Sequence, residues 1–313
     1  MQMRAPKRHW TERDMPDLTG RYAVVTGGTS GVGFAMSAAL LRHGATVIII
    51  GKNRLKGQAA VETLKQQTQR QLIRFIAADL SDQIAVNQLA DELLATLPRL
   101  DILINNAGVM MPAERTVTRD GVELMWAVNY FAGFILILRL ASLLAKTPKA
   151  RVVNVASIAM GRPHLTFNQF DGRHYRPWTF YANSKLAQAM MAVKLNQLFH
   201  EAGQSVMVNG SSPGLAATSL KTIQSRATAW PMRLAALSFR IMPWLRQSPQ
   251  RAALPALYAA TDAHAQGGVV YAPASWHGLR GYPGLWSWNS RPELHDQDLL
   301  NRLYRASRQV TGV

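Results

Sequence analysis

Along the chain, short apolar runs rich in Val, Ile and Leu alternate with longer stretches whose apolar residues recur every three or four positions. The runs at 21–26, 45–50, 72–78, 101–104, 151–155 and 205–209 predict strands, and 31–43, 54–68 and 82–96 predict helices between them. A long helical region precedes the fifth run, and a helix from about 178 to 200 precedes the sixth. Such alternation is the signature of βαβ units, so the predicted fold class is α/β, a doubly wound parallel sheet with helices on both faces. Residues 216–246 turn rich in Trp, Met and Arg and do not read as sheet; a helix at 249–261, a strand at 268–271 and an irregular tail follow. No repeat or linker interrupts the pattern. Residues 20–313 therefore read as one domain behind a basic N-terminal extension, 1–19.

Composition changes this picture little. Of 313 residues, 48% are hydrophobic and 17% charged, ordinary values for a globular chain. The charge balance is less ordinary, with 35 Lys and Arg against 18 Asp and Glu, a net +17. A surplus of that size attracts polyanions, yet the basic residues cluster only at Arg4, Lys7, Arg8 and Arg13 and are otherwise spread through helical stretches. That distribution fits a solvated basic surface suited to an anionic cofactor and points away from a nucleic-acid site. With no cysteine in the chain, disulfides and Cys-ligated zinc are excluded. His164, His174, His264 and His277 have no metal-ligand spacing, so no metal is expected. Residues 126–145 could span a bilayer by length, but Asn129 and Arg139 interrupt them and predict a buried helix. The basic N-terminus lacks the apolar segment of a secretory signal, and the expected location is cytoplasmic.

The first predicted strand runs directly into Thr26-Gly27-Gly28-Thr29-Ser30-Gly31-Val32-Gly33, inside which a helical pattern begins. Glycines at such a turn let the backbone bring a diphosphate to the helix N-terminus, where unpaired N–H groups and the helix dipole favour anions. Gly27, Thr29, Ser30, Gly31, Val32 and Gly33 are therefore candidate dinucleotide contacts in a single-domain Rossmann fold. A site for NAD places an acid at the end of the second strand, against the ribose 2′-hydroxyl. Here that strand ends Ile50-Gly51-Lys52-Asn53-Arg54. Lys52 and Asn53 take the position, with Arg54 beyond them, and a cation there suits a 2′-phosphate. NADP(H) is the predicted cofactor in preference to NAD(H).

Tyr181 and Lys185 stand at i and i+4 of a predicted helix, so a phenol and an ammonium project from one face. A free tyrosine titrates near pH ~10, too high for efficient proton transfer at neutral pH. A neighbouring ammonium and a positive nicotinamide favour the phenolate and bring it toward the working range. Ser157 lies just past the fifth strand, at the carboxyl edge where ligands bind in open α/β sheets, and its hydroxyl can orient a substrate carbonyl there.

With these features the chain resembles the short-chain dehydrogenase/reductase family over nearly its whole length. The glycine turn follows the family's TGxxxGxG, Asn105-Asn106-Ala107-Gly108 its NNAG, Tyr181-Ala182-Asn183-Ser184-Lys185 its YxxxK, and Pro213-Gly214 with Thr218 its PGxxxT. The resemblance implies that Asp79 and Leu80 meet the adenine ring and that Asn106, Ala107 and Gly108 line the cofactor. It further implies that Lys185 bonds the nicotinamide ribose beside Tyr181, and that Pro213, Gly214 and Thr218 meet the carboxamide and diphosphate. The implied catalytic set is Asn129, which helps hold a relay water, with Ser157, Tyr181 and Lys185. Tyr181 is then the acid/base in the interconversion of a carbonyl and an alcohol.

The 24 residues from Ser157 to Tyr181 and the run Tyr181 to Ala187 resemble the retinol-dehydrogenase-like and WW-domain-oxidoreductase-like branch. That branch usually carries histidine before Pro-Gly, whereas Ser211 and Ser212 precede Pro213 here, so retinoid specificity does not carry over. In the family the segment after PGxxxT folds over the substrate. Residues 216–246, with Trp230, Met232, Phe239 and Trp244, thus predict a lid over a sizeable apolar substrate. In the tail, 272–313, Trp276, Trp286 and Trp288 predict a cover for the pocket mouth or a subunit interface. The long helix after Asn106 is a common dimer face in the family, which implies a homo-oligomer. The competing reading is a catalytically silent NADP(H)-binding regulatory or membrane-surface protein with the same fold; the intact four-residue set favours the enzyme.

Overall fold

The computed structural model describes residues 9–161, 170–216 and 247–313. His164, Thr218 and nearly all of the expected lid lie outside them. Strands β1 (Tyr22–Thr26), β2 (Thr46–Gly51), β3 (Ile73–Ala77), β4 (Ile102–Asn105), β5 (Arg151–Val155), β6 (Met207–Ser211) and β7 (Val270–Ser275) are parallel, in the order β3-β2-β1-β4-β5-β6-β7. Strand β8 (Arg280–Leu285) closes the edge antiparallel to β7. Val24, Val25, Ile48, Ile49, Leu103, Ile104, Val152 and Val153 have no exposed surface. Their near-continuous apolar runs suit strands covered on both faces.

The helices are α1 (Gly31–Arg42), α2 (Arg54–Thr68), α3 (Gln83–Thr96), α4 (Ala132–Arg139), α5 (Ala141–Lys146), α6 (Pro177–Glu201), α7 (Pro249–Thr261) and α8 (Gln297–Thr311). One apolar core joins the sheet to α1, α2 and α7; a second, on the other face, joins it to α3, α4, α6 and α8. Strand β1 has β2 on one side and β4 on the other. The connections diverge between β1 and β4, and a crevice opens at their carboxyl ends.

The described residues 9–19 and 272–313 are more ordered than their composition predicts. Trp10, Met15 and Leu18 of the expected extension are buried in the core, and the Trp10 indole N–H donates to Asp262 at 2.9 Å. The expected irregular tail contains β8 and α8. Leu300, Leu303 and Thr311 line the buried face of α8, Asp296 accepts the Leu299 N–H at its start, and Gly312 ends it in a left-handed conformation. Trp286 is a core residue, stacked on Trp288 with ring centroids 4.5 Å apart.

Residues 126–145 form a π-helical turn at Trp126–Phe131 and the buried helix α4, then break at Leu140 into α5, whose one buried residue is Leu144, so the expected single buried helix is two. Arg139 is anchored on α3 by Asn87, at 2.9 Å, and by Asp91. No helix among the described residues is long and apolar enough to cross a membrane. Helix α8 packs on α6 and touches this region at two side chains. Tyr130 bonds Ser307 at 2.8 Å, and Tyr304 sets its ring 5.9 Å from that of Phe134.

Glu123 starts this helical region. Its backbone N–H donates to the Phe170 carbonyl at 2.7 Å, and its fully buried carboxylate accepts from the N–H groups of Met125 and Trp126 at 2.9 and 3.1 Å. Burial pushes the carboxyl up to about 7, against the two amides and Arg115. The folded value therefore lies above the ordinary 4.5 of an unfolded chain. Its support for the fold is complete below that ordinary value and is lost as the pH rises through about 7. Denaturant titrations should show the wild type losing stability across this window relative to Glu123→Gln, which mimics the protonated acid; parallel pH profiles would contradict the assignment.

Candidate active site

The β1–α1 turn is built by close approach. Gly27 has φ +67°, and a Cβ on Gly33 would lie 2.4 Å from the Gly27 carbonyl oxygen. The turn is then tied to β4. Thr26 Oγ1 accepts from the N–H groups of Asn106 and Ala107 at 2.9 and 3.0 Å, and Asn106 Nδ2 donates to the Thr26 carbonyl at 2.8 Å. Ser30 precedes α1 without a side-chain cap bond, so the first-turn N–H groups are left for a ligand.

A cleft of about 840 Å³ runs from this turn to Tyr181 and Lys185. Its walls include Gly27, Thr29, Ser30, Gly31, Val32 and Gly33 from the turn, Lys52 after β2, and Asp79 and Leu80 after β3. Asn106, Ala107 and Gly108 follow β4, and Pro213 follows β6. Two expected contacts sit elsewhere among the described residues. Asn53 does not line the cleft; its side chain caps α2 by accepting the Lys56 N–H at 2.8 Å. Gly214, at φ +65°, packs under the Leu279 carbonyl.

Lys52 is 75% exposed and pairs with Asp79 at 2.6 Å. Burial raises the Asp79 carboxyl, but hydrogen bonds from Lys52 and Ser81 outweigh it and hold the group below the ordinary range. Lys56, which the sequence does not mark as a cofactor contact, places its ammonium 3.2 Å from Ser30 Oγ, a second cation beside the phosphate turn. Its place in the first turn of α2, directly after Lys52 and Asn53, was the available signal.

At the other end of the cleft, Pro177 opens α6, which carries Tyr181 and Lys185. Ser157, two residues past β5, lies beside the Tyr181 phenol and opposes the effect of its burial. Lys185 Nζ donates to the Val155 carbonyl and to Gln188 Oε1, each at 2.8 Å. Asn129, in the π-helical turn, supports the wall from behind. It accepts the Val109 N–H at 2.7 Å and donates to the Val109 carbonyl and to Ser184 Oγ at 3.0 Å. Asn129 Oδ1 and Lys185 Nζ converge on Gly108, lying 3.3 and 3.4 Å from where a Cβ there would stand. The four predicted residues are thus brought to one junction of α6 with the sheet.

The electrostatics differ from the expectation drawn on spacing alone. Burial raises the Tyr181 phenol, opposed by Ser157, and burial lowers the Lys185 ammonium to about 7. Desolvation disfavours the charged form of each, and it outweighs the mutual help that an exposed i, i+4 pair would give. The protein alone therefore holds Tyr181 as a protonated phenol.

Among the described residues no cluster of side chains could hold a metal ion. The donor set fits a dinucleotide instead: a cradle that a Cβ on Gly33 would fill, cations at its far end, and a phenol with an ammonium at its near end.

Comparison with known proteins agrees with this geometry. The short chain dehydrogenase family profile matches residues 21–228. The human polyprenol dehydrogenase is 31% identical over 95% of this chain and 87% of its own length, and the Danio rerio protein of that name is 31% identical over 96% and 89%. Human retinol dehydrogenase 13 is 28% identical over 95% and 86%. Among solved structures, one of a protein from Mycobacterium paratuberculosis superposes with a TM-score of 0.77 at 26% identity, covering 97% of this chain and 98% of that one. The chain belongs to the short-chain dehydrogenase/reductase family, in its retinol-dehydrogenase-like branch, and is an oxidoreductase with a nicotinamide dinucleotide cofactor.

Proposed function

We propose that the protein interconverts a carbonyl and an alcohol on an apolar substrate with NADP(H), Tyr181 acting as the acid/base. The observation that carries this reading is that Tyr181 and Lys185, four residues apart on α6, line the near end of a cleft that begins at the glycine turn. When bound, NADPH supplies the hydride for the carbonyl carbon. The protein's own groups do the rest. Tyr181, held protonated by burial, donates its proton to the carbonyl oxygen as charge develops there, and the Ser157 hydroxyl orients that oxygen. Lys185 holds the cofactor ribose and Asn129 fixes the wall behind it.

Two features support NADP(H). No acid stands at the end of β2, and Lys52 lines the cleft there with Lys56 beside Ser30. For the substrate, Val109, Met110, Leu124 and Val128 give the cleft an apolar wall. Two relatives that align over nearly the whole chain are named for polyprenol. A long-chain, polyprenol-like alcohol or its aldehyde is therefore the first substrate class to try.

Screening such alcohols and carbonyls by NADPH absorbance tests the activity. With a turned-over substrate, Tyr181→Phe is expected to lower kcat by about 10²–10⁴-fold, the usual worth of a positioned acid/base, while NADPH binding is kept; full activity in this variant would remove Tyr181 from the mechanism. Lys52→Glu should raise the KM for NADPH about tenfold or more, the loss of one charge-assisted hydrogen bond, and leave the KM for NADH little changed. An unaltered preference for NADPH would mean that the 2′-phosphate is read elsewhere.

A further inference from the structure

Lys185 is buried where α6 meets β5, and an ammonium brings three donors to that place. Two are spent inside the protein, on the Val155 carbonyl and on Gln188 Oε1, each at 2.8 Å. Gln188 follows on the same face of α6 and is 1% exposed. Its backbone is in turn held from the sheet. Asn154 Nδ2 meets the Gln188 carbonyl at 3.5 Å, and Asn154 Oδ1 accepts from Asn105 Nδ2 at 2.9 Å. Asn105 and Asn154 are register partners in β4 and β5, and both are buried. A chain of buried amides therefore crosses from the end of β4 through β5 into α6 and ends on the ammonium.

Amides are costly in an interior unless they are bonded, so their presence here needs a reason beyond packing. Lysine supplies one. Its ammonium sits on a flexible four-carbon stem with three rotatable donors, and a single acceptor leaves that group free to turn. Two acceptors on different elements fix it.

We propose that Gln188 is a positioning residue for Lys185: together with the Val155 carbonyl it takes two of the three N–H bonds and aims the third into the cleft. The catalytic consequence rests on the function proposed above, but the clamp belongs to the cofactor-free protein and can be tested there. Gln188 is also neutral, so it orients the ammonium without offsetting its charge. Tyr181, its ring centroid 5.9 Å from Nζ, is the titratable group facing it, and burial alone accounts for the fall to about 7. A carboxylate at position 188 would reverse that fall while keeping an acceptor in place.

The experiment is a pH titration of ¹³Cε-labelled lysine by NMR in cofactor-free protein, with the Lys185 signal assigned from its absence in Lys185→Met. In Gln188→Glu the midpoint should move up by about 1–3 units, the usual effect of an opposite charge at contact distance. In Gln188→Leu it should move down, and kcat for a turned-over substrate should fall more than the KM for NADPH rises. Unchanged midpoints overturn the proposal, and Gln188→Glu alone decides it should the Leu variant fail to fold. A shifted midpoint in a protein that turns over no substrate would uphold the clamp and count against the proposed function instead.

Discussion

Thr26 ties the two halves of the sheet together where the connections diverge, at the carboxyl ends of β1 and β4. Its hydroxyl accepts two backbone N–H groups from the turn after β4, and its carbonyl accepts the Asn106 side chain. Without these bonds the crevice between β1 and β4 would have two independent lips. With them, the glycine turn and the Asn106–Gly108 turn form one rigid edge, and everything that lines the cleft is placed relative to it. Parallel strands buried on both faces make this possible, because they fix the height of every carboxyl end.

The same burial governs the chemistry. Tyr181 and Lys185 lie where neither side chain is readily hydrated, so each resists the charged state that an exposed copy would accept at its usual pH. A phenol kept protonated at neutral pH is a ready acid for carbonyl reduction. The reverse reaction needs it to give up that proton, which a positive charge brought close to it would favour. The site is thus a low-dielectric pair of groups whose charges are set by what binds beside them. Asn129 and Gln188, neutral amides, hold its frame without adding charge of their own.

Much of this was legible in the sequence because it is local. The strands from β1 to β5 are short apolar runs, the glycine turn follows β1 without interruption, and Tyr181 and Lys185 share a helix face by spacing alone. What escaped depends on contacts distant in sequence or on diluted patterns. Helix α8 is the exception: its buried positions Leu300, Leu303, Ser307 and Thr311 recur every three or four residues, a period legible beside Arg302, Arg305 and Arg308. Trp10, Met15 and Leu18 have no period at all and are ordered by what they touch. Asn53 occupies the position expected of a cofactor contact but serves the helix that starts there, the usual use of asparagine before a first turn. Whether Lys185 reaches the Val155 carbonyl, and whether Ser157 comes beside Tyr181 from 24 residues away, is decided only when β5 and α6 are packed together.

The central claim is that this cleft passes a hydride to a carbonyl carbon. It is tested most directly by incubating the protein with NADPH doubly deuterated at the nicotinamide C4 and a long-chain apolar aldehyde, then analysing the alcohol by mass spectrometry. A single deuterium on the carbinol carbon is the predicted result; an alcohol formed without deuterium would contradict the account.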